Sequence, residues 1–224
     1  MAKNTVKAVN QLKESGCVRF ENLQNTGTRV MFVGNSITLH GVKEDIGWTN
    51  EWGMAASKKE NDYVHILQRE ISSVDPEAAF CICQAYEWEN DYKNGESKFN
   101  IYAEARKFSP NIIVIRIIEN CKADGFDPEI FAQEFDKFIN YLNESNKAKI
   151  VLTTAFWNHP GNSTLIAYAN EKGLPIVHLS DLGERDDMKA LGLFWHSGVA
   201  NHPGDLGMQT IADRIKEKIL PLIS

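Results

Sequence analysis

Residues 29–38 read RVMFVGNSIT: the apolar run Arg29–Gly34 (RVMFVG), then Asn35, Ser36, Ile37 and Thr38. Comparable runs recur at Ala79–Gln84 (AFCICQ), 111–118 (NIIVIRII), 149–154 (KIVLTT) and 174–179 (LPIVHL). They are short, β-branched or apolar, and do not alternate with polar residues. Strands covered on both faces, as in a parallel sheet, have this composition. The stretches between them carry helical signals. Residues 57–72 place Tyr63, Ile66, Leu67 and Ile71 on one stripe. Residues 127–142 open with Asp127-Pro128-Glu129, an N-cap followed by proline at the first helical position. Residues 163–172 stop at Gly173, and 205–220 close the chain. Strands alternating with helices imply βαβ units and a three-layer α/β/α sandwich around a five-stranded parallel sheet. Residues 1–28 read as an N-terminal extension, a helix and a surface connection, and 29–224 as one domain.

Composition narrows the function. The chain has 224 residues and a formal net charge of −6, with 24% charged and 43% hydrophobic residues. That length supports a core without disulfides. The mild acidity, with no Lys/Arg cluster, argues against a nucleic-acid partner. No apolar run has the length of a membrane span. Residues 1–11 are polar and lack the apolar stretch of a signal peptide. The four cysteines, Cys17, Cys81, Cys83 and Cys121, form no CxxC pair, which argues against zinc or redox use. The expectation is reduced cysteines in a cytoplasmic protein, with no metal and no cofactor. Oligomeric state is left open.

Ligands of open α/β sheets bind beyond the carboxyl ends of the strands. The residues that follow the runs are polar and aromatic: Ser36 after the first, Tyr86 to Asn90 after the second, Glu119 and Asn120 after the third, Trp157 and His159 after the fourth. His202 precedes the last helix. A serine hydroxyl needs a base to take its proton and donors to hold the oxyanion that forms. Ser36, at a strand-to-helix turn, offers its own N–H; His202 offers a base; Asn120 offers an amide.

VMFVGNSIT resembles the first block of the SGNH (GDSL-type) hydrolases, usually GDSIT, with Asn35 in place of the aspartate. NHPGDLGMQTIADRI resembles their last block, and GLPIVHL their late strand. The resemblance implies the flavodoxin-like SGNH fold, with Ser36 as nucleophile, His202 as general base and Asn120 as oxyanion donor. Three of the later blocks also depart from the pattern. The third block, normally Gly-x-Asn-Asp, reads Ile118-Glu119-Asn120-Cys121. The second-block glycine is missing, and its matching position falls near Glu89. The acid expected before the histidine is Val199. Two repairs are open: the Val199 carbonyl accepts the ring N–H in a Ser–His dyad, or Glu119 or Glu89 supplies a carboxylate. The dyad is favoured.

The expected activity is hydrolysis of a small-molecule ester with a small acyl group, such as O-acetyl on a carbohydrate. Other expectations are a weak or inactive SGNH-fold binding protein and a lysophospholipase- or thioesterase-like acyl hydrolase. A nucleotide or flavin binder fits less well, because no GxGxxG or GxxxxGKS follows the first strand. Trp48, Trp52, Trp88, Trp157 and His159 are the substrate-binding candidates: the tryptophans, like Trp195, fall in segments outside the strands and main helices, and His159 follows the fourth strand. Residues 40–56 are long for a strand-to-helix connection and read as a lid.

Overall fold

A computed structural model describes residues 16–223. Six strands form one sheet: β1 (Val18–Glu21), β2 (Arg29–Gly34), β3 (Ala79–Gln84), β4 (Ile112–Arg116), β5 (Lys149–Thr153) and β6 (Ile176–Val177), in the order β1-β3-β2-β4-β5-β6. Every pairing is parallel except β1 with β3, where Val18 faces Cys83 and Phe20 faces Cys81. The five expected strands are present, and β1 is a sixth. It lies within the stretch read as an extension. Its four residues alternate buried and half-buried, too short a pattern to separate from a loop in sequence. The helix expected before it falls largely outside the described residues.

The helices are α1 (Tyr63–Val74), α2 (Tyr86–Asn90), α3 (Ala103–Lys107), α4 (Pro128–Leu142), α5 (Asn162–Lys172), α6 (Ser197–Ala200) and α7 (Asp205–Ile219). Successive strand residues point to opposite faces. Val30, Phe32, Ile82, Val114 and Val151 therefore pack on Leu67 and Ile71 of α1 and Ile211 and Ile215 of α7. Met31, Val33, Cys81, Ile113, Ile115 and Leu152 pack on Phe131, Phe135 and Phe138 of α4 and Leu165 of α5. This is the three-layer sandwich. The α4 cap is as read: Asp127 accepts from the N–H groups of Glu129 and Ile130 at 3.1 and 3.0 Å, and Pro128 opens the helix. Gly173 ends α5 at φ 64°, where a side chain is strained.

His65 of α1 fastens the edge strand. Its Nδ1 lies 2.7 Å from Asp62 and its Nε2 3.3 Å from Glu21 of β1, which also accepts from Lys59 at 2.6 Å. Burial raises the Glu21 pKa, but the hydrogen bonds and charges of His65 and Lys59 outweigh it and hold the group at about 2. Burial lowers His65, and its bonds to Asp62 and Glu21 outweigh that, so its pKa is raised. The His65 contribution is full below its ordinary 6.5 and is lost as pH rises through the raised value. The Glu21 contribution is full above its ordinary 4.5 and is lost as pH falls toward 2. His65→Gln should therefore cost about 1–3 kcal/mol between these limits and progressively less as pH rises above the ordinary 6.5, as read by Tm against pH. A cost that is flat with pH would show that the ion pair is not what holds the strand.

Candidate active site

The site is built at the carboxyl ends of β2 and β4. Gly34 ends β2 where any Cβ would stand 1.8 Å from Thr38 Oγ1, so only glycine lets the chain turn so tightly. Thr38 and Leu39 donate their N–H groups to the Asn35 carbonyl at 2.8 and 2.9 Å, closing the turn that presents Ser36. The Ser36 N–H itself meets no acceptor among the described residues. Ser36 Oγ lies 2.8 Å from His202 Nε2.

The other ring nitrogen, His202 Nδ1, lies 2.7 Å from the carbonyl oxygen of Gly198 in α6. A carbonyl only accepts, so Nδ1 carries the proton and Nε2 presents a lone pair to the serine hydroxyl. Burial lowers the His202 pKa to about 4, against the raising effect of the Gly198 bond, so the ring is neutral at physiological pH. The edge of Trp157 packs on this ring at 5.2 Å between centroids. A Cβ at Gly198 would lie 2.9 Å from the ring of His196, so that ring, which accepts from the Val199 N–H as the N-cap of α6, would have to shift.

Val199 is thus not the residue that meets the ring. Its carbonyl accepts from the His202 backbone N–H at 3.0 Å, and its side chain is buried. One turn of helix puts the carbonyl of residue i−4, rather than i−3, beside the imidazole. Neither Glu119 nor Glu89 bonds to the ring. Glu119 takes Arg116 Nη1 and the Phe156 N–H on one oxygen, the latter at 3.0 Å, and Asn35 Nδ2 on the other at 2.7 Å. Arg116 also donates to Asn35 Oδ1 and is fully buried. Glu89 takes Asn120 Nδ2 at 2.7 Å, Asn35 Nδ2 at 3.1 Å and the Ile118 N–H. Burial first, and then the charge of Glu119, push Glu89 up to about 7. The Glu89 backbone N–H is no oxyanion donor, because it closes the first turn of α2 on Ala85 at 3.0 Å.

A cleft of about 380 Å³ opens over Ser36, Asn120 and His202, walled by His40, Lys43, Gln84, Tyr86 and His196 among others. Residues 40–56 form one wall of it. They are anchored by Trp48, which is fully buried at 6.0 Å from both Trp52 and Phe194. Trp48 therefore touches no ligand. Trp52 packs edge-on to Trp48 and gives its Nε1–H to the Ala56 carbonyl at 3.0 Å. Trp88 stacks on Phe138 at 4.9 Å inside the α4 layer. His159 is tied to the Cys121 carbonyl at 2.7 Å and packs on Phe126. Of the five aromatic candidates, Trp157 alone packs on His202. The residues that sequence reasoning missed are Gly198 and Arg116. The signal for Arg116 was present: one arginine in an otherwise apolar run.

No sequence-family profile matches the chain, and no curated protein does. Solved structures do match in fold. A two-domain esterase active on acetylated mannans, co-crystallised with mannopentaose, superposes with TM-score 0.59 at 16% identity, over 90% of this chain and 51% of that one. The psychrotrophic esterase EstA from Pseudoalteromonas sp., inhibited by monoethylphosphonate, gives 0.56 at 12%, over 87% and 97%. A member of the lipolytic protein G-D-S-L family from Veillonella parvula DSM 2008 gives 0.51 at 15%, over 85% and 97%. The chain shares the α/β/α fold of these esterases and G-D-S-L proteins, the SGNH-type architecture expected from the sequence. The chain spans about half the length of the mannan esterase. At these identities the likeness is one of architecture, and chemistry has to be argued from the site.

Proposed function

We propose that the chain is a serine esterase hydrolysing small acyl esters, with O-acetyl groups on a carbohydrate as the substrate class. The observation that carries this reading is the relay of Ser36 Oγ, His202 and the Gly198 carbonyl beside two amide donors, the Ser36 N–H and Asn120. Ser36 Oγ attacks the ester carbonyl while His202 Nε2 takes its proton. The resulting imidazolium keeps its Nδ1–H on Gly198. The oxyanion is held by the Ser36 N–H and the Asn120 amide. His202 returns the proton to the leaving alcohol as the C–O bond breaks, and water then repeats the sequence on the acyl-enzyme. The cleft wall is mixed, with Ile46, Met54 and Val199 beside His40, Lys43 and Gln84. Its modest volume suits a short acyl group on an alcohol that the polar side chains can hydrogen-bond, and one fold neighbour acts on acetylated mannans. Incubation with a fluorophosphonate should give a single adduct on Ser36 by mass spectrometry, together with turnover of p-nitrophenyl acetate. An unlabelled Ser36 and an inert protein would end the esterase reading.

The pH profile follows from the lowered pKa of His202. The base works only when deprotonated, so kcat/KM should rise with pH through a limb at about 4. Assays between about pH 3 and pH 6 with p-nitrophenyl acetate read this directly. A limb at the ordinary histidine value of 6.5 would show that the ring is solvated in the working enzyme.

A further inference from the structure

Glu89 is a fully buried carboxylate that touches neither Ser36 nor His202, and the proposed steps make no use of it. Three donors converge on its two oxygens: Asn120 Nδ2 at 2.7 Å, Asn35 Nδ2 at 3.1 Å and the backbone N–H of Ile118. The three donors favour the ionised form against the burial and the Glu119 charge that raise its pKa. That form, being acceptor-only, satisfies all three without presenting a hydrogen of its own. A second observation lies in the backbone. Ile118 sits at φ 110°, a region that β-branched residues avoid and that persists only when the surroundings impose it. Glu89 grips this residue by its N–H and grips Asn120, two residues on, by its side chain. The Cys121 N–H closes the same turn on the Ile118 carbonyl at 3.0 Å. An amide nitrogen carries two protons. With one on Glu89, the other is left for the cleft that Asn120 lines.

We infer that Glu89 is a positioning residue for the oxyanion donor: it clamps the strained 118–120 turn and aims the Asn120 amide into the cleft. The inference rests on the esterase reading. It replaces the role of acid or backbone donor that sequence spacing suggested for Glu89.

The test is Glu89→Gln, which keeps shape and volume but has one acceptor oxygen and an NH2. Whichever way the carboxamide turns, its NH2 faces at least one donor: Asn120 at one oxygen position, or Asn35 and Ile118 at the other. Turnover of p-nitrophenyl acetate should fall roughly 10²-fold in kcat, with KM within about twofold of wild type. Asn120→Ala should fall by a similar factor, and the double variant should be no slower than Asn120→Ala alone, because Glu89 acts through Asn120. Should Glu89→Gln fail to fold, Glu89→Asp keeps the charge and withdraws it by one methylene, with the same loss in kcat expected. A Glu89 variant within about twofold of wild type, or losses that multiply in the double variant, overturns the inference and leaves the esterase reading standing. A wild type that does not turn over, or a Ser36→Ala variant as fast as wild type, removes both.

Discussion

Ser36→Ala should lower p-nitrophenyl acetate turnover by at least about 10⁴-fold, with no change in fold. The hydroxyl makes one hydrogen bond among the described residues, to His202 Nε2, so little structure depends on it. Its loss should change stability by less than about 1 kcal/mol, since one neutral hydrogen bond contributes little net. Activity and Tm thus separate cleanly. His202→Ala should be as slow, and the double variant no slower, because the two groups act as one unit. The residual rate belongs to the amide donors, which neither change touches. A Ser36→Ala protein retaining more than roughly a tenth of wild-type turnover would move the chemistry elsewhere.

The second large effect is on stability. Arg116→Met should cost about 3–5 kcal/mol, because it leaves Glu119 facing Asn35 with no cation in a buried site. For a domain of this size that is a fall of roughly 6–20 °C in Tm. Arg116 is fully buried, and Glu119 and Asn35 Oδ1 both bond to it. Removing the cation raises the cost of keeping Glu89 ionised, a group whose pKa burial already pushes up. The deficit should therefore shrink as pH falls and Glu89 takes up a proton. Arg116→Met with Glu119→Gln should recover part of the loss, since the second change removes a stranded charge. Equal Tm deficits at about pH 5 and about pH 8 would show that lost packing, rather than stranded charge, sets the cost.

Much of the fold was legible along the chain. The runs at Arg29–Gly34 and Ala79–Gln84 are strands with the expected bounds. Asp127 and Pro128 mark the start of α4, and Gly173 the end of α5. Residues 111–118 shorten to Ile112–Arg116 because Ile118 turns to φ 110°. Residues 174–179 shorten to Ile176–Val177 at the open edge of the sheet. The strand β1 was missed because four residues give too little periodicity.

The site divides along the same line. Burial on both faces, helix caps and a glycine-tight turn depend on residues a few positions apart, so the layers, the Ser36 turn and the terminal helix that follows His202 could be read from sequence. Which atoms meet depends on contacts far apart in the chain: Ser36 with His202 across 166 residues, Asn35 with Arg116 across 81, Asn35 with Glu89 across 54. Spacing placed Val199 and Glu89 near the site, and the helix geometry of α6 gave the ring N–H to Gly198 instead. Tryptophan position in sequence did not tell a cleft wall from a core. Trp48 and Trp88 are buried by elements distant in the chain, namely Phe194 and α4, and only packing in three dimensions decides that.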